Sequence, residues 1–255
     1  MMSFIIKNLP ILIVITPLMF SLIVAVLNNN RLAWALSTFA SFITMIFTIL
    51  LCFEVSYKSN ISYYLGNWPP PLGIEYVIDT ISIIPIMIVS VIGLIATLFA
   101  HNFFTLEIDE KLVSKTYSLW LLTIAGLIGL ITTADAFNLF VFLEISSLSA
   151  VALVALGSKV DRKALVAGYN YLILGAVGAT FYVIGVGLLY GVTGTLNMGD
   201  LAQKIPALGL NKSVIVAFTF MMLGIMVKAA VFPLHIWLPN AYAYAPSPVS
   251  VLLAA

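Results

Sequence analysis

Long apolar runs, each about the length that an α-helix needs to cross a bilayer, occupy most of the sequence. A membrane-spanning helix requires about 20 apolar residues. Seven runs meet this requirement: Pro10–Leu27, Leu32–Phe53, Tyr76–Ala100, Tyr117–Thr133, Ala136–Gly157, Leu165–Val192 and Val214–Phe232. An eighth begins near Pro246. Because a segment in lipid must satisfy its own backbone hydrogen bonds, such runs predict helices. The predicted fold is all-α, a polytopic membrane helix bundle with seven complete transmembrane helices and the start of an eighth.

The charge content and the cysteine and histidine counts exclude several classes of function. Charged residues make up only 8% of the chain, whereas soluble domains carry about 25%. The net charge of +1 gives no electrostatic support for a nucleic-acid partner. Cys52 is the only cysteine, and His101 and His235 are the only histidines, which excludes an iron–sulfur cluster, a thiolate zinc site and an internal disulfide. Motifs for phosphate binding, zinc proteolysis and serine hydrolysis are absent. We therefore expect no cofactor, no metal site and no catalytic chemistry in this chain.

The lysines and arginines of the short loops indicate the orientation in the membrane, because inner loops carry an excess of them. With the N-terminus outside, the inner loops hold six cationic residues: Arg31, Lys111, Lys115, Lys159, Arg162 and Lys163. The outer segments hold four: Lys7, Lys58, Lys204 and Lys212. This excess of cationic residues in the inner loops favours an N-terminus on the outer side of the membrane. The longest outer loop, Glu54–Glu75, contains three consecutive prolines, which favour extended backbone.

One carboxylate lies deep within a predicted span. Glu144 occurs in the fifth run, in the segment DAFNLFVFLEISSLSA. Asp135 is placed to cap the start of this helix, and Glu144 then lies roughly 13 Å along the axis, near the middle of the membrane. Helical periodicity puts Asp135 and Glu144 on opposite faces, so they are not expected to interact. A charge at this depth marks either an ion pathway or a structural salt bridge with a neighbouring helix.

A lysine, a histidine and a proline interrupt the seventh run. Lys228 lies about fifteen residues into the span, where it needs a nearby carboxylate unless its long stem reaches the membrane surface. Pro233 removes a backbone donor and predicts an interruption around Phe232–Leu238. Broken helices at such depth line cavities and ion sites. His235 would share a face with Lys228 if the helix persisted, and histidine is the side chain suited to carry protons near neutral pH. Alternatively, His235 is a polar residue of the packed core. We predict that Glu144 and Lys228 interact.

Two aspartates are weaker candidates for the ion pathway. Asp79, in VIDTISIIP, lies at the outer end of the third run, where a helix cap and an ion site are equally compatible with the sequence. Asp135 has the capping position described above.

The chain also resembles a known family. The segments KAAVFPLHIWLPNAYAYAPSPVSVLLAA, DAFNLFVFLEISSLSA and YLILGAVGATFYVIGVGLLYGVTGTLNM are similar to those of the antiporter-like subunits shared by complex I, membrane-bound hydrogenases and Mrp-type cation/proton antiporters. LGNWPPPLGIEYVIDTIS and GTLNMGDLA resemble the D subunit of the Mrp type.

The resemblance implies a proton-translocating subunit of a monovalent cation/proton antiporter, or the same module in a respiratory quinone oxidoreductase or energy-converting hydrogenase. It implies that Glu144 and Lys228 form the coupling pair and that His235 belongs to a hydrated polar axis. The implied partners are other membrane subunits, the lipid bilayer, protons, and Na⁺ or another cation, in a prokaryotic plasma membrane. Residues 1–116 would form a three-helix segment, and 117–255 the first half-channel repeat, incomplete here, with helices four to eight.

Two departures from the family pattern limit this transfer. Relatives often have a lysine where GYNYL places Asn170, so no charge role is expected there. Family members also continue for about as long again, with a further lysine and a second, inverted repeat. We therefore expect this sequence to be a fragment, a split subunit or an incomplete sequence, holding one half-channel.

Overall fold

The computed structural model describes residues 2–209 and 211–254, and these residues are mostly helical. The helices are α1 (Met2–Lys7), α2 (Leu9–Val26), α3 (Asn30–Lys58), α4 (Ile83–Glu107), α5 (Glu110–Thr132), α6 (Ala136–Ala155), α7 (Lys163–Thr193), α8 (Met198–Ala207), α9 (Lys212–Lys228), α10 (Trp237–Tyr244) and α11 (Ser247–Ala254). Short 3₁₀ turns cover Leu65–Asn67 and Leu156–Lys159. Two strands, β1 (Asn60–Tyr64) and β2 (Glu75–Asp79), complete the described fold.

Six of the described helices are long and apolar enough to cross a membrane. They are Leu9–Val26, Asn30–Lys58, Ile83–Glu107, Glu110–Thr132, Ala136–Lys159 and Lys163–Thr193. The predicted helical, membrane-spanning class is therefore confirmed. The seventh predicted span corresponds to α9, which has only 17 residues and ends at Lys228. The fourth span begins at Glu110 and not at Tyr117, because backbone hydrogen bonds continue the helix beyond its apolar part.

A two-stranded hairpin departs from the all-α prediction. β1 and β2 pair antiparallel with Asn60 opposite Asp79 and Tyr64 opposite Glu75. Side chains alternate along β2, so Tyr76 and Ile78 are buried while their neighbours are partly exposed. The prediction of helix from Tyr76 onward was wrong, because the first residues of that apolar run form β2 and the helix begins only at Ile83.

Glycines bring α7 and α9 into close contact along most of their length. A Cβ on Gly224 would lie 2.5 Å from the carbonyl oxygen of Gly178, and one on Gly185 would lie 2.6 Å from that of Ala217. Real Cβ atoms do not approach backbone this closely, so only glycine allows the two backbones to meet. This packing fixes the position of α9 against α7 and hence the position of Lys228.

The interruption after α9 begins earlier than predicted. The helix ends at Lys228, residues 229–236 are not helical, and α10 starts at Trp237. Pro233 cannot donate to the carbonyl of Ala229 and disfavours helical backbone before it, so the last helical turn forms upstream. Ala230 takes a left-handed conformation with φ of 50°. The amide of Val231 then donates to the carbonyl of Met226 at 3.0 Å and closes the helix end.

Candidate functional site

Lys228, the last residue of α9, contacts Glu144 of α6, and both helices pack against α7. The Lys228 Nζ lies 3.0 Å from the Glu144 Oε1 and donates a hydrogen bond to it. The Lys228 side chain is 10% exposed and that of Glu144 is 24% exposed. The predicted interaction is therefore present, and neither charge is left alone at this depth. Because the two residues are far apart in sequence, only the packing of α6, α7 and α9 brings them together.

A third residue completes the polar cluster and was missed by the sequence analysis. Lys228 Nζ also donates to the Ser147 Oγ at 2.7 Å. The Ser147 hydroxyl in turn donates to the carbonyl of Leu143 at 2.6 Å, which fixes the orientation of its oxygen toward the lysine. Ser147 follows Glu144 by less than one helical turn, so helical spacing alone could have placed both on the face that meets Lys228.

The start of α6 is fixed by a cap, as predicted for Asp135. The Asp135 carboxylate accepts a hydrogen bond from the backbone N–H of Asn138 at 2.7 Å. The Asn138 amide donates to the Thr133 hydroxyl at 3.0 Å. Burial raises the pKa of Asp135 above its usual value, although the backbone hydrogen bonds that its carboxylate accepts at the helix start act to lower it. Asp135 therefore stabilises the helix that carries Glu144.

Glu144 and Lys228 each line a different cavity. Glu144 lines an apolar groove of about 540 Å³ whose walls include Leu119, Phe140 and Leu148. Lys228 lines a cavity of about 390 Å³ together with Tyr171 and Trp237. The rings of Tyr171 and Trp237 stack at 4.2 Å with an interplanar angle of 9°. The lysine thus has space beside it on the side of the helix interruption.

Trp237 ties that interruption to the end of α9. Its indole Nε1 donates to the carbonyl of Val227 at 3.0 Å. A Cβ on Gly175 would lie 3.6 Å from the Lys228 Nζ, an ordinary contact, so α7 forms the wall next to the ammonium group. The ammonium is enclosed by α6, α7 and the interruption.

His235 lies within the non-helical segment between α9 and α10. Its ring packs against Phe232 with a centroid distance of 5.5 Å. Its Nδ1 is buried, and no described residue forms a hydrogen bond with it. His235 was predicted to share a face with Lys228 only if the helix persisted, and the helix ends at Lys228 itself.

Asp79 occupies the turn between β2 and α4. Its Oδ1 accepts hydrogen bonds from the backbone N–H groups of Ser82 at 2.7 Å and Ile81 at 3.0 Å. The Ser82 hydroxyl accepts from the Asp79 N–H at 2.8 Å. These bonds, those of Ser82 first, hold the pKa of Asp79 below its usual value. Asp79 therefore stabilises the turn that leads into α4, whose N-cap residue is Ser82.

Comparison with known proteins shows which chains this sequence and fold are similar to. Residues 133–255 match the family described as NADH:quinone oxidoreductase/Mrp antiporter, transmembrane. The N subunit of the NADH-quinone oxidoreductase of Desulforudis audaxviator is 43% identical over 97% of this chain and 49% of the relative. The D subunit of the Na⁺/H⁺ antiporter of Bacillus subtilis is 31% identical over 98% of this chain and 50% of the relative. A chain of the membrane-bound sulfane sulfur reductase, an archaeal respiratory membrane complex, superimposes with a TM-score of 0.88 at 32% identity, over 97% of this chain and 50% of that one.

The match extends over nearly all of this chain, which spans about half the length of the curated relatives it matches. The matched family is a membrane family, and the apolar helices of this chain fit that setting. The chain is an integral protein of a prokaryotic plasma membrane, and its residues 133–255 match the transmembrane family that NADH:quinone oxidoreductases and Mrp antiporters share.

Proposed function

We propose that this chain is a proton-translocating subunit of an Mrp-type monovalent cation/proton antiporter, in which protons move through Glu144, Lys228 and His235. The observation that carries the proposal is the contact between Lys228 and Glu144 directly before a helix interruption. A buried ion pair is a poor way to hold helices together, because desolvation offsets most of its attraction. A pair whose two members each line a cavity can instead open and close as protons arrive.

The contacts suggest how the pair would operate. In the closed state the ionised Glu144 holds the Lys228 ammonium at 3.0 Å. Protonation of Glu144 removes the negative charge and leaves only the neutral Ser147 as a partner. The flexible lysine stem can then turn toward the cavity that it lines with Tyr171 and Trp237. There the lysine can release its proton to the next carrier.

We assign the next step to His235. It lies in the segment that follows Lys228, and its buried Nδ1 forms no hydrogen bond with any described residue. A buried ring nitrogen without a protein partner is costly, so we expect a water molecule to reach it. A histidine with water access can accept and pass on a proton near neutral pH. We place Asp79 and Asp135 outside this path, as residues that cap the helices around it.

The proposed membrane topology has seven crossings. α9, the non-helical residues 229–236 and α10 together would form the seventh, and α11 would begin an eighth. Residues 1–116 would be an N-terminal three-helix segment, and 117–255 the first half-channel. The proposed partners are further membrane subunits of an antiporter, and the exchanged ions are protons and Na⁺ or another monovalent cation, as the antiporter relative's name suggests.

A second candidate is the same proton-moving module in a respiratory enzyme. It is favoured by the 43% identity with the N subunit of an NADH-quinone oxidoreductase. The two candidates differ in what drives proton movement. An antiporter releases a preformed proton gradient when Na⁺ is added, without any electron donor. A respiratory subunit moves protons only while its complex oxidises a donor.

The test uses everted membrane vesicles that contain the intact assembly. A fluorescent pH indicator reports whether added Na⁺ or K⁺ collapses an imposed gradient. Glu144→Gln should abolish this response. Glu54→Gln is the matched control, because Glu54 pairs with Lys58 at 2.7 Å on the exposed end of α3. Full cation-dependent activity in the Glu144 variant would contradict the proposed role of the pair. A response that requires an electron donor would favour the respiratory candidate.

A further inference from the structure

A polar cavity of about 760 Å³ opens at the end of the bundle opposite the β-hairpin. Its walls come from the turn between α2 and α3, the end of α4, the start of α5 and the 3₁₀ turn after α6. The charged or ionisable side chains among them are Arg31, His101, Glu110, Tyr117 and Lys159. This is the end where the lysine and arginine pattern of the loops places the cytoplasmic surface. The proton path proposed above uses none of these residues.

The two cations of this cavity keep unused hydrogen-bond donors. Across residues 2–209 and 211–254, the Arg31 guanidinium takes part in no hydrogen bond or ion pair. Lys159 Nζ donates to the carbonyl of Ile108 at 2.9 Å, which leaves its other N–H groups free. The His101 ring is held against Trp34 with a centroid distance of 4.2 Å. A planar guanidinium and an ammonium that line the same cavity suit the oxygens of a phosphate group.

Glu110 also lines the cavity, and its charge opposes an anion. Its side chain is exposed and lies in the first turn of α5, where the helix dipole stabilises a carboxylate. Neither cation of the cavity forms an ion pair with it in the described part of the chain. The cavity therefore retains more positive than negative charge.

Three exposed leucines are sequence neighbours of residues that line the cavity. Leu32, Leu106 and Leu112 are 53%, 72% and 41% exposed. They directly adjoin the lining residues Arg31, Thr105 and Val113 in sequence. A free phosphate ion would gain nothing from these leucines, whereas acyl chains attached to a phosphate would cover them.

We infer that this cavity binds the headgroup phosphate of an anionic phospholipid from the cytoplasmic leaflet. Arg31 and Lys159 would hold the phosphodiester oxygens, and the exposed leucines would contact the acyl chains. Basic recesses between membrane helices on this side are suited to such headgroups. The site is separate from the Glu144–Lys228 pair, so the inference does not depend on the proposed transport function.

The experiment compares lipid retention by the purified full-length protein and its variants. Each is reconstituted in vesicles of equal phosphatidylglycerol and phosphatidylcholine, re-extracted in mild detergent and examined by native mass spectrometry. Wild type should retain phosphatidylglycerol in preference to phosphatidylcholine. Arg31→Gln should weaken retention about fivefold, and the double variant R31Q/K159Q about 25-fold. K111Q/R162Q is the matched control, since it removes two cations from the same surface but outside the cavity lining.

The outcomes separate the alternatives. Loss of phosphatidylglycerol in R31Q and R31Q/K159Q, with retention in the control, would support the inference. The single variant guards against misfolding, because the Arg31 side chain makes no hydrogen bond that a fold would lose. Equal loss in the control would mean diffuse attraction to a basic surface and would overturn the inference. Equal retention of both lipids would also overturn it. Displacement of the lipid by millimolar inorganic phosphate would identify a site for free phosphate instead.

Discussion

Replacing Lys228 with alanine should abolish ion transport and leave the membrane assembly intact. The ammonium is the only cation within 4.0 Å of the Glu144 carboxylate among the described residues. At the observed separation of 3.0 Å and an effective dielectric constant of about 20, the attraction amounts to about 5 kcal/mol. Removing the lysine withdraws this stabilisation from the ionised glutamate. Glu144 should then hold its proton and no longer take part in a cycle of release and uptake.

The fold should survive this substitution. A neutral carboxylic acid costs far less in an apolar setting than an unpaired carboxylate does. Lys228 already borders a cavity of about 390 Å³, so truncating its stem enlarges an existing space rather than opening a new one in dense packing. The close backbone contacts at Gly178, Gly185 and Gly224 do not involve the lysine head and should persist.

The assay is cation-dependent proton movement in everted vesicles, with assembly followed on a native gel. We expect transport to fall at least about tenfold, to the background of empty vesicles, since about 1.4 kcal/mol already corresponds to a factor of ten. Lys58→Ala is the matched control, because Lys58 belongs to an exposed ion pair. Transport at the wild-type rate in an assembled Lys228→Ala protein would refute the argument and leave the lysine a structural role only.

Three further changes test other parts of the site. Lys228→Arg should restore little transport to an assembled protein, because arginine keeps the charge but does not release a proton; near-normal vesicle transport would contradict deprotonation at this position. Ser147→Ala should lower transport several-fold and shift its pH profile with assembly unchanged, since the ammonium loses a hydrogen bond worth about 1–3 kcal/mol; an unchanged rate and profile would make the serine incidental. Gly224→Leu should prevent assembly, because its side chain would collide with the backbone of Gly178, and normal amounts of complex on a native gel would disprove that packing.

Lys228 and the β-hairpin show which parts of the structure could be predicted from the sequence and which could not. The free-energy cost of an unpaired charge in lipid was enough to predict that Glu144 and Lys228 interact, although the sequence does not give the distance between them. The helix interruption was predicted from Pro233 but begins upstream at Ala229, since the end of a helix depends on which carbonyls find other donors. The hairpin was missed because Tyr76 and Ile78 continue an apolar run that leads directly into α4. The burial of Tyr76 and Ile78 and the pairing of β2 with β1 are tertiary effects, and they favour a strand at this position.

The position of Lys228 as the last residue of α9 has its own consequence for proton transfer. Carbonyl groups at a helix C-terminus carry partial negative charge and favour a cation nearby. Some of these carbonyls are already occupied, since Val227 accepts from the Trp237 indole and Met226 from the Val231 amide. When Glu144 is neutralised, the Lys228 ammonium loses its ion pair but keeps a weaker attraction to the partial negative charge at the C-terminus of α9. The ammonium is then held in place less strongly. A lysine in the middle of a helix would lack this weaker attraction once its carboxylate partner is neutral. The interruption after Lys228 therefore provides space for the side chain to move and limits the free-energy cost of opening the ion pair.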